Sequence, residues 1–418
     1  MDIIGEFGKI IGKQVDVNPQ RTRKLLLAGY RLQLLKLKLV PDRQLPPSGR
    51  YVAQVTMETI IKALAKPGEA AMVSIFVPGE LLCAAGLTPY SVEAMSCFLA
   101  GTKCEQAFLA KTGGQGFPET MCSYHRVFLG AALAGLVPDP KCMLYTNLAC
   151  DANMMTFPYL KEKCGTPAFF LDIPYEKSEE SVQDVAAQLR AAKLFLEDQT
   201  HRRITDESLK EALFRSRQAA ELYQKQMDLR RQKHPATTIT NELYGLFMSH
   251  LLAGTEQSLT YAEQLLQDVK QAPPAKGPGI CWMHIMPFLQ ESVKEVFNYT
   301  DNVRITACDF IADGCRIIDR EDPYESMAEK MVYSVYNGSI QDRIDRAIDM
   351  VQRTGADGVI LFAHWGCKAT AGASALIKQQ LEAAGIPTLI LDGDGCNPVN
   401  ASDGQMATRL QAFLEMIS

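Results

Sequence analysis

The stretch IQDRIDRAIDMVQRT (340–354), followed by GADGVILFAHWGC (355–367), decides the fold. Its first part mixes apolar and charged residues at helical spacing and reads as an amphipathic helix. Its second part turns at Gly355 and runs into a short apolar strand, Gly358 to Ala363, that ends just before Cys367. A helix, a tight turn and a fully apolar strand make the repeating unit of a parallel sheet, whose strands are covered by crossover helices on both faces. Working outward, the unit recurs. Ile280 to Ile285, Val303 to Ala307 and Thr388 to Leu391 read as strands, and Ala373 to Ala384 as a helix. Towards the N-terminus, Met72 to Val77, Cys142 to Leu148 and Ala168 to Ile173 read as strands, with Ser123 to Leu136 helical.

A chain of 418 residues is too long for one compact core. The expected architecture is α/β: two doubly wound, flavodoxin/Rossmann-like parallel-sheet domains joined by a helical block. The boundaries are an N-terminal helical segment (1–70), a first α/β domain (71–177), a helical bridge (178–276) and a second α/β domain (277–418). In the bridge, Thr205 with Asp206 and Glu207 is a helix start for Leu209 to Gln224. The segment Ala272 to Gly279, with three prolines and two glycines, is a hinge by composition.

Hydrophobic residues make up 47% and charged residues 22%, which is ordinary for a globular chain. A net charge of −5 gives no reason to expect a nucleic-acid surface. No run reaches the roughly eighteen apolar residues of a membrane span, and the N-terminus lacks a signal-peptide layout. The expectation is a cytoplasmic protein without membrane or nucleic-acid partners. Arg21 to Val40, basic and leucine-rich, is expected to pack on the body or on a partner subunit rather than on a membrane.

There are twelve cysteines. In a reducing cytoplasm they do not form a disulfide framework. Cys83, Cys142 and Cys164 read as small buried hydrophobes. No CxxC or CxxCxxC run is present, so a zinc ribbon, a thioredoxin motif and a ferredoxin motif lack support. Open α/β sheets bind ligands at the C-terminal ends of their strands. Cys150 and Cys367 follow such ends, and Cys122 opens a helix. From the residues alone, scattered structural cysteines and a metal site both remain open.

Four elements carry a resemblance. Val77 to Pro89, VPGELLCAAGLTP, is similar to a P-x-E-L-x-x-A-A-G-x-x-P signature. Cys122-Ser123-Tyr124 resembles a C-S-Y element, with Gly130 a little beyond. Cys150-Asp151 resembles a C-D element about thirty residues later. Gly355 to Ile360, then Cys367, then Gly385 to Leu389 resembles a C-terminal pattern. In this order and spacing they resemble the 2-hydroxyacyl-CoA dehydratases, a family that includes ATP-dependent benzoyl-CoA reductases and double-cubane cluster proteins. The resemblance spans about residues 70 to 418. It implies that Cys122, Cys150 and Cys367 hold a 4Fe-4S cluster, one per chain, whose fourth iron keeps a vacant position. A double cubane would need further cysteines. Cys97, Cys308 and Cys315 are on offer, but the matching region Tyr333 to Ile340, YSVYNGSI, lacks an expected cysteine.

The implied reaction is removal of water from a 2-hydroxyacyl-CoA thioester. The hydrogen lost lies on the β-carbon, which nothing acidifies, so an ordinary base with a pKa near about 7 cannot abstract it. The family's solution, as the resemblance implies, is one electron placed on the thioester carbonyl. The ketyl radical so formed expels the hydroxyl, after which the β-hydrogen is acidic. The electron comes from a separate ATP-hydrolysing 4Fe-4S activator, and this chain has no GxxxxGK[ST] loop of its own. The expected partners are therefore that activator, a second homologous subunit or a second copy of this chain, and the acyl-CoA substrate. An ATP-dependent reductase of the same family and a non-catalytic electron relay are the alternatives.

By spacing from the P-x-E element, the resemblance suggests Ser74 and Glu93 as catalytic substrate contacts. The P-E-N-H that follows in one subunit type is missing after Glu93. A strand serine and a solvated glutamate are the structural alternatives. Glu80 reads as a helix cap, and His364 as a core histidine or a hydrogen-bond donor near Cys367.

Overall fold

The computed structural model describes residues 2–418. Three helices open the chain: α1 (Ile3–Gln14), α2 (Pro19–Leu39) and α3 (Pro47–Ala65). The first sheet follows, made of β1 (Ala70–Val73), β2 (Thr88–Ser91), β3 (Cys142–Thr146) and β4 (Ala168–Leu171). The second is made of β5 (Gly279–Met283), β6 (Arg304–Cys308), β7 (Gly358–His364) and β8 (Thr388–Gly393). Every strand pair is parallel, in the order β2-β1-β3-β4 and β6-β5-β7-β8. The two halves therefore share one plan. Each reverses direction between its first and third strand, the position where open sheets leave a crevice.

Most strands form where apolar runs are buried on both faces, and β5, β6 and β7 have no half-exposed residue, whereas the edge strands β4 and β8 are partly exposed. The strand Thr88–Ser91 has no counterpart in the sequence reading. It is four residues long and contains Pro89, a residue tolerated on edge strands, and β2 lies at the sheet edge. The first strand ends at Val73, so Ser74 to Val77 form the loop past its end.

Between the sheets run the helices Glu179–Thr200, Asp206–Leu229, Ile239–Leu246 and Glu256–Gln271. Ser178, Thr205, Thr238 and Thr255 cap their first turns by accepting backbone N–H bonds. Thr205 is thus the helix start that its sequence suggested. One apolar core runs through both halves, with Met72, Leu144, Trp282 and Phe362 among its buried members. Cys142 is fully buried, as expected. Cys164 is exposed at the end of the helix Asn153–Cys164, because its position falls on the last turn, beyond the packed face. No helix among the described residues is long and apolar enough to cross a membrane.

Candidate metal centre

Both crevices open on the same cavity. Past β1, Ile75 and Phe76 line it; past β3, Ala149 and Cys150; past β5, His284 and Ile285; at the end of β7, His364, and past it Cys367. Cys122, at the N-terminus of the helix Ser123–Leu133, completes the set. The free space is about 90 Å³. One water needs roughly 10–15 Å³ on this measure, so the cavity holds several atoms.

Each of the three thiols faces one histidine. Cys122 Sγ lies 3.3 Å from His364 Nε2, Cys150 Sγ 3.4 Å from His125 Nε2, and Cys367 Sγ 3.6 Å from His284 Nε2. The Gly395 N–H donates to His364 Nδ1 at 3.1 Å. A neutral His364 therefore carries its proton on Nε2 and donates it to Cys122. Burial pushes the Cys122 thiol well up, the Cys367 and Cys150 thiols push the same way, and the Tyr124 and His125 N–H groups pull back. The thiols thus lie within electrostatic reach of one another. Burial also raises Cys367, again with Cys150 beside it and with Thr370 opposing. His364 is driven down to about 4 by burial, against the pull of Asp394. For His125 burial acts downward, but Cys150 and Glu93 outweigh it and raise the imidazole to about 10.

The halves are clasped around Cys122. Ser123 Oγ donates to Asp394 Oδ1 at 2.5 Å, and Cys396 and Asn397 donate N–H bonds to the same oxygen. Gly366, at φ +76°, presses its backbone onto the first half: a Cβ there would stand 2.6 Å from the Cys122 nitrogen. Gly366→Ala is expected to cost at least about 2 kcal/mol, the left-handed penalty plus overpacking against backbone that cannot yield. Denaturant unfolding measures this; a cost below about 0.5 kcal/mol would mean that the two loops are not in contact. Two of the five non-glycine residues with positive φ, Ala149 (62°) and His284 (76°), also line the cavity. Strain of this kind collects at functional sites.

Glu93, in the first turn of the helix Val92–Gly101, lines the cavity. Its Oε1 lies 3.6 Å from His125 Nε2, and its Oε2 is buried without a partner. Burial would raise this carboxyl, yet His125 holds it below the ordinary range. Ser74 is fully buried and outside the cavity lining; its Oγ accepts the Thr146 N–H at 3.1 Å. Glu80 lies in the first turn of the short helix Gly79–Ala84 but does not cap it, because its carboxylate accepts from Ser216 and Lys330 instead. Of the three additional cysteines, Cys97 lines the cavity, whereas Cys308 and Cys315 do not. Among the described residues, the ligand atoms that group within 4.8 Å of one another belong to Glu93, His125 and Cys150.

Sequence reasoning missed His125, His284 and Asp394. His125 stands three residues after Cys122 and His364 three before Cys367, a helical-turn spacing that was there to be used. His284 gave no local signal, because its cysteine is 83 residues away.

A family model described as "2-hydroxyglutaryl-CoA dehydratase, D-component" matches residues 74–417. The chain is 23% identical over 370 residues to the (R)-phenyllactyl-CoA dehydratase alpha subunit of Clostridium sporogenes, covering 81% of this chain and 87% of that one. It is 21% identical over 378 residues to the lactoyl-CoA dehydratase subunit alpha of Anaerotignum propionicum, covering 81% and 88%. It is also 21% identical over 299 residues to the (R)-2-hydroxyglutaryl-CoA dehydratase subunit alpha of Acidaminococcus fermentans, covering 67% and 61%. The helices α1 to α3 lie before the span that the family model matches.

Proposed function

This chain belongs to the 2-hydroxyglutaryl-CoA dehydratase D-component family, and from that premise we propose that it is the iron-sulfur subunit of a 2-hydroxyacyl-CoA dehydratase, with one 4Fe-4S cluster on Cys122, Cys150 and Cys367. The observation that carries the reading is the meeting of these three thiols at one cavity, each beside a histidine. Of the additional cysteines only Cys97 reaches the cavity, which favours one cubane over two.

When bound, such a cluster supplies a one-electron couple and an iron with a vacant position that acts as a Lewis acid. The chain's own groups do the rest. The N–H groups of His364, Tyr124 and His125 stabilise the Cys122 thiolate. Glu93 Oε2, unpaired and on the cavity wall, is placed to take or return a proton, with His125 beside it. Ser74 fixes the ends of β1 and β3 and so sets Ile75 and Phe76 against the substrate. The relatives are named as alpha subunits, which brings a second subunit into the proposal, together with an ATP-hydrolysing activator and an acyl-CoA substrate.

The test is anaerobic purification with an activator and ATP, assayed on lactoyl-, phenyllactoyl- and 2-hydroxyglutaryl-CoA. Roughly four irons per chain and water elimination from at least one thioester are expected. A wild-type chain with less than about one iron ends the proposal. Glu93→Gln is expected to lower the rate about 100-fold or more with the iron content unchanged. An unaltered rate removes Glu93 from the chemistry.

A further inference from the structure

The three thiol–histidine pairs of the centre are not alike. His125 Nδ1 lies 2.8 Å from Thr156 Oγ1, a hydroxyl that can give or take a proton. Its Nε2 is divided between Cys150 Sγ at 3.4 Å and Glu93 Oε1 at 3.6 Å. His284 Nδ1 is buried without a partner among the described residues, so no neighbour fixes which of its nitrogens carries the proton. Its Nε2 stands farthest from its sulfur, at 3.6 Å. His364 differs from both. Its Nδ1 accepts the Gly395 N–H at 3.1 Å, from a backbone group that can only donate. The ring proton is therefore confined to Nε2, which lies 3.3 Å from Cys122 Sγ.

Both ends of this bond are fastened without the help of the sulfur. His364 is the last residue of β7 and only 1% exposed, and its ring packs against Tyr124 and Phe362. Asp394 stands 3.8 Å from Nδ1, but its Oδ1 is taken up by Ser123, Cys396 and Asn397, and its Oδ2 by Asn400. Cys122 is fixed from the other side, between the Gly366 backbone and the helix Ser123–Leu133 that it opens. A donor held in place before charge develops needs no reorganisation when it does. One more electron at the centre puts more negative charge on its sulfurs. A hydrogen bond to a charged acceptor is roughly twice as strong as a neutral one, and burial strengthens it further. An N–H on a ligating thiolate therefore favours the reduced state.

We propose that His364 is a positioning residue that raises the reduction potential of the cluster, through an N–H held on the Cys122 thiolate in the tautomer that the Gly395 backbone imposes. The assignment rests on the dehydratase reading and deepens it. Cys122 belongs to the first half of the chain, and His364 and Gly395 to the second. The potential is thus a property of the joined halves and of neither alone.

The test is an anaerobic redox titration of the iron-loaded full chain, followed by electron paramagnetic resonance, with iron counted on the same samples. His364→Met keeps the volume, leaves Gly395 a weak acceptor in its thioether and removes the donor. His364→Phe removes the donor in a second way, so that a folding failure of one leaves the other. With iron unchanged, each is expected to shift the balance between reduced and oxidised cluster at least tenfold towards the oxidised form, a potential lower by about 59 mV for one electron. His364→Gln, whose amide can still donate to the sulfur, should recover at least half of that shift. A change of less than twofold in a loaded Met or Phe variant overturns the proposal. So does a Gln variant shifted as far as they are, since packing alone would then explain the effect. If neither the Met nor the Phe variant holds iron, His364 retains the cluster rather than tuning it, and the proposal falls. A wild-type chain without iron removes the dehydratase reading as well; a loaded wild type with unshifted variants removes only this one.

Discussion

Replacing any one of Cys122, Cys150 and Cys367 with serine is expected to drop the iron content from roughly four to below about one per chain and to abolish dehydration. A serine oxygen is a hard, poorly ionised ligand where a soft thiolate is needed, and only two thiolates would be left to hold the cluster. Folding should survive. The side chains line a cavity, Cys122 from the edge of the apolar core, and serine is close to cysteine in size. Cys281 provides the contrast. It is fully buried in β5, away from the cavity, and belongs to the packed core of the second half. Cys281→Ala should cost about 1 kcal/mol of stability and leave iron untouched. If the three cavity variants keep their iron, or if Cys281→Ala loses it as readily, the assignment of the thiols is wrong. Metal analysis, visible absorbance and denaturant unfolding on the same preparations decide the matter.

The second large effect is expected at Arg343→Met. Arg343 and Asp309 form a buried pair, with side chains 2% and 0% exposed. The guanidinium reaches Asp309 Oδ2 at 3.0 and 3.1 Å, the Ala369 carbonyl at 3.1 Å, and stacks 4.5 Å from the Tyr336 ring. Asp309 Oδ1 accepts the His284 N–H at 2.7 Å. One ion pair therefore ties together the strained His284, the turn after Cys367 and the cavity wall at Tyr336. Methionine fills the volume but leaves Asp309 charged and unpaired in the interior, which costs about 3–5 kcal/mol. A loss under about 1 kcal/mol in urea unfolding would show that the carboxylate finds other partners or takes up a proton. Asp309→Asn combined with Arg343→Met should recover part of the loss, because the uncompensated charge is then gone.

Arg343 lies in the stretch that settles the fold, and the sequence shows it there only as one of several charges on an amphipathic helix. That contrast separates what the sequence discloses from what it hides. Seven of the eight strands announce themselves as apolar runs, the inner ones because a strand covered on both faces leaves no room for alternation. The eighth, Thr88–Ser91, is short and carries Pro89, and is held by its neighbour β1 rather than by its own propensity. Cys150 and Cys367 stood out at strand ends, Cys122 at a helix start, and all three through the family resemblance. Their histidine partners were not, since His284 and Cys367 meet through the pairing of β5 with β7, a contact between distant segments. Glu93 was placed by spacing, and it lines the cavity. Ser74 was placed in the same way; it lies buried just past the end of β1, outside the cavity lining, where its Oγ accepts the Thr146 N–H, whereas the sequence reading ran that strand on to Val77. The exposure of Cys164 was hidden because a cysteine near the end of a helix looks the same whether or not that turn is covered.

The clasp at Cys122 limits how the molecule can work. Ser123 with Asp394, Cys122 with His364, and the glycine backbone at 366 fasten one half to the other at the mouth of the centre. Jaws fastened at the hinge side of their own bite cannot swing open to swallow a cargo and shut again. With the jaws held there, the space of about 90 Å³ keeps its shape, and whatever meets the three thiols does so within walls set before it arrives.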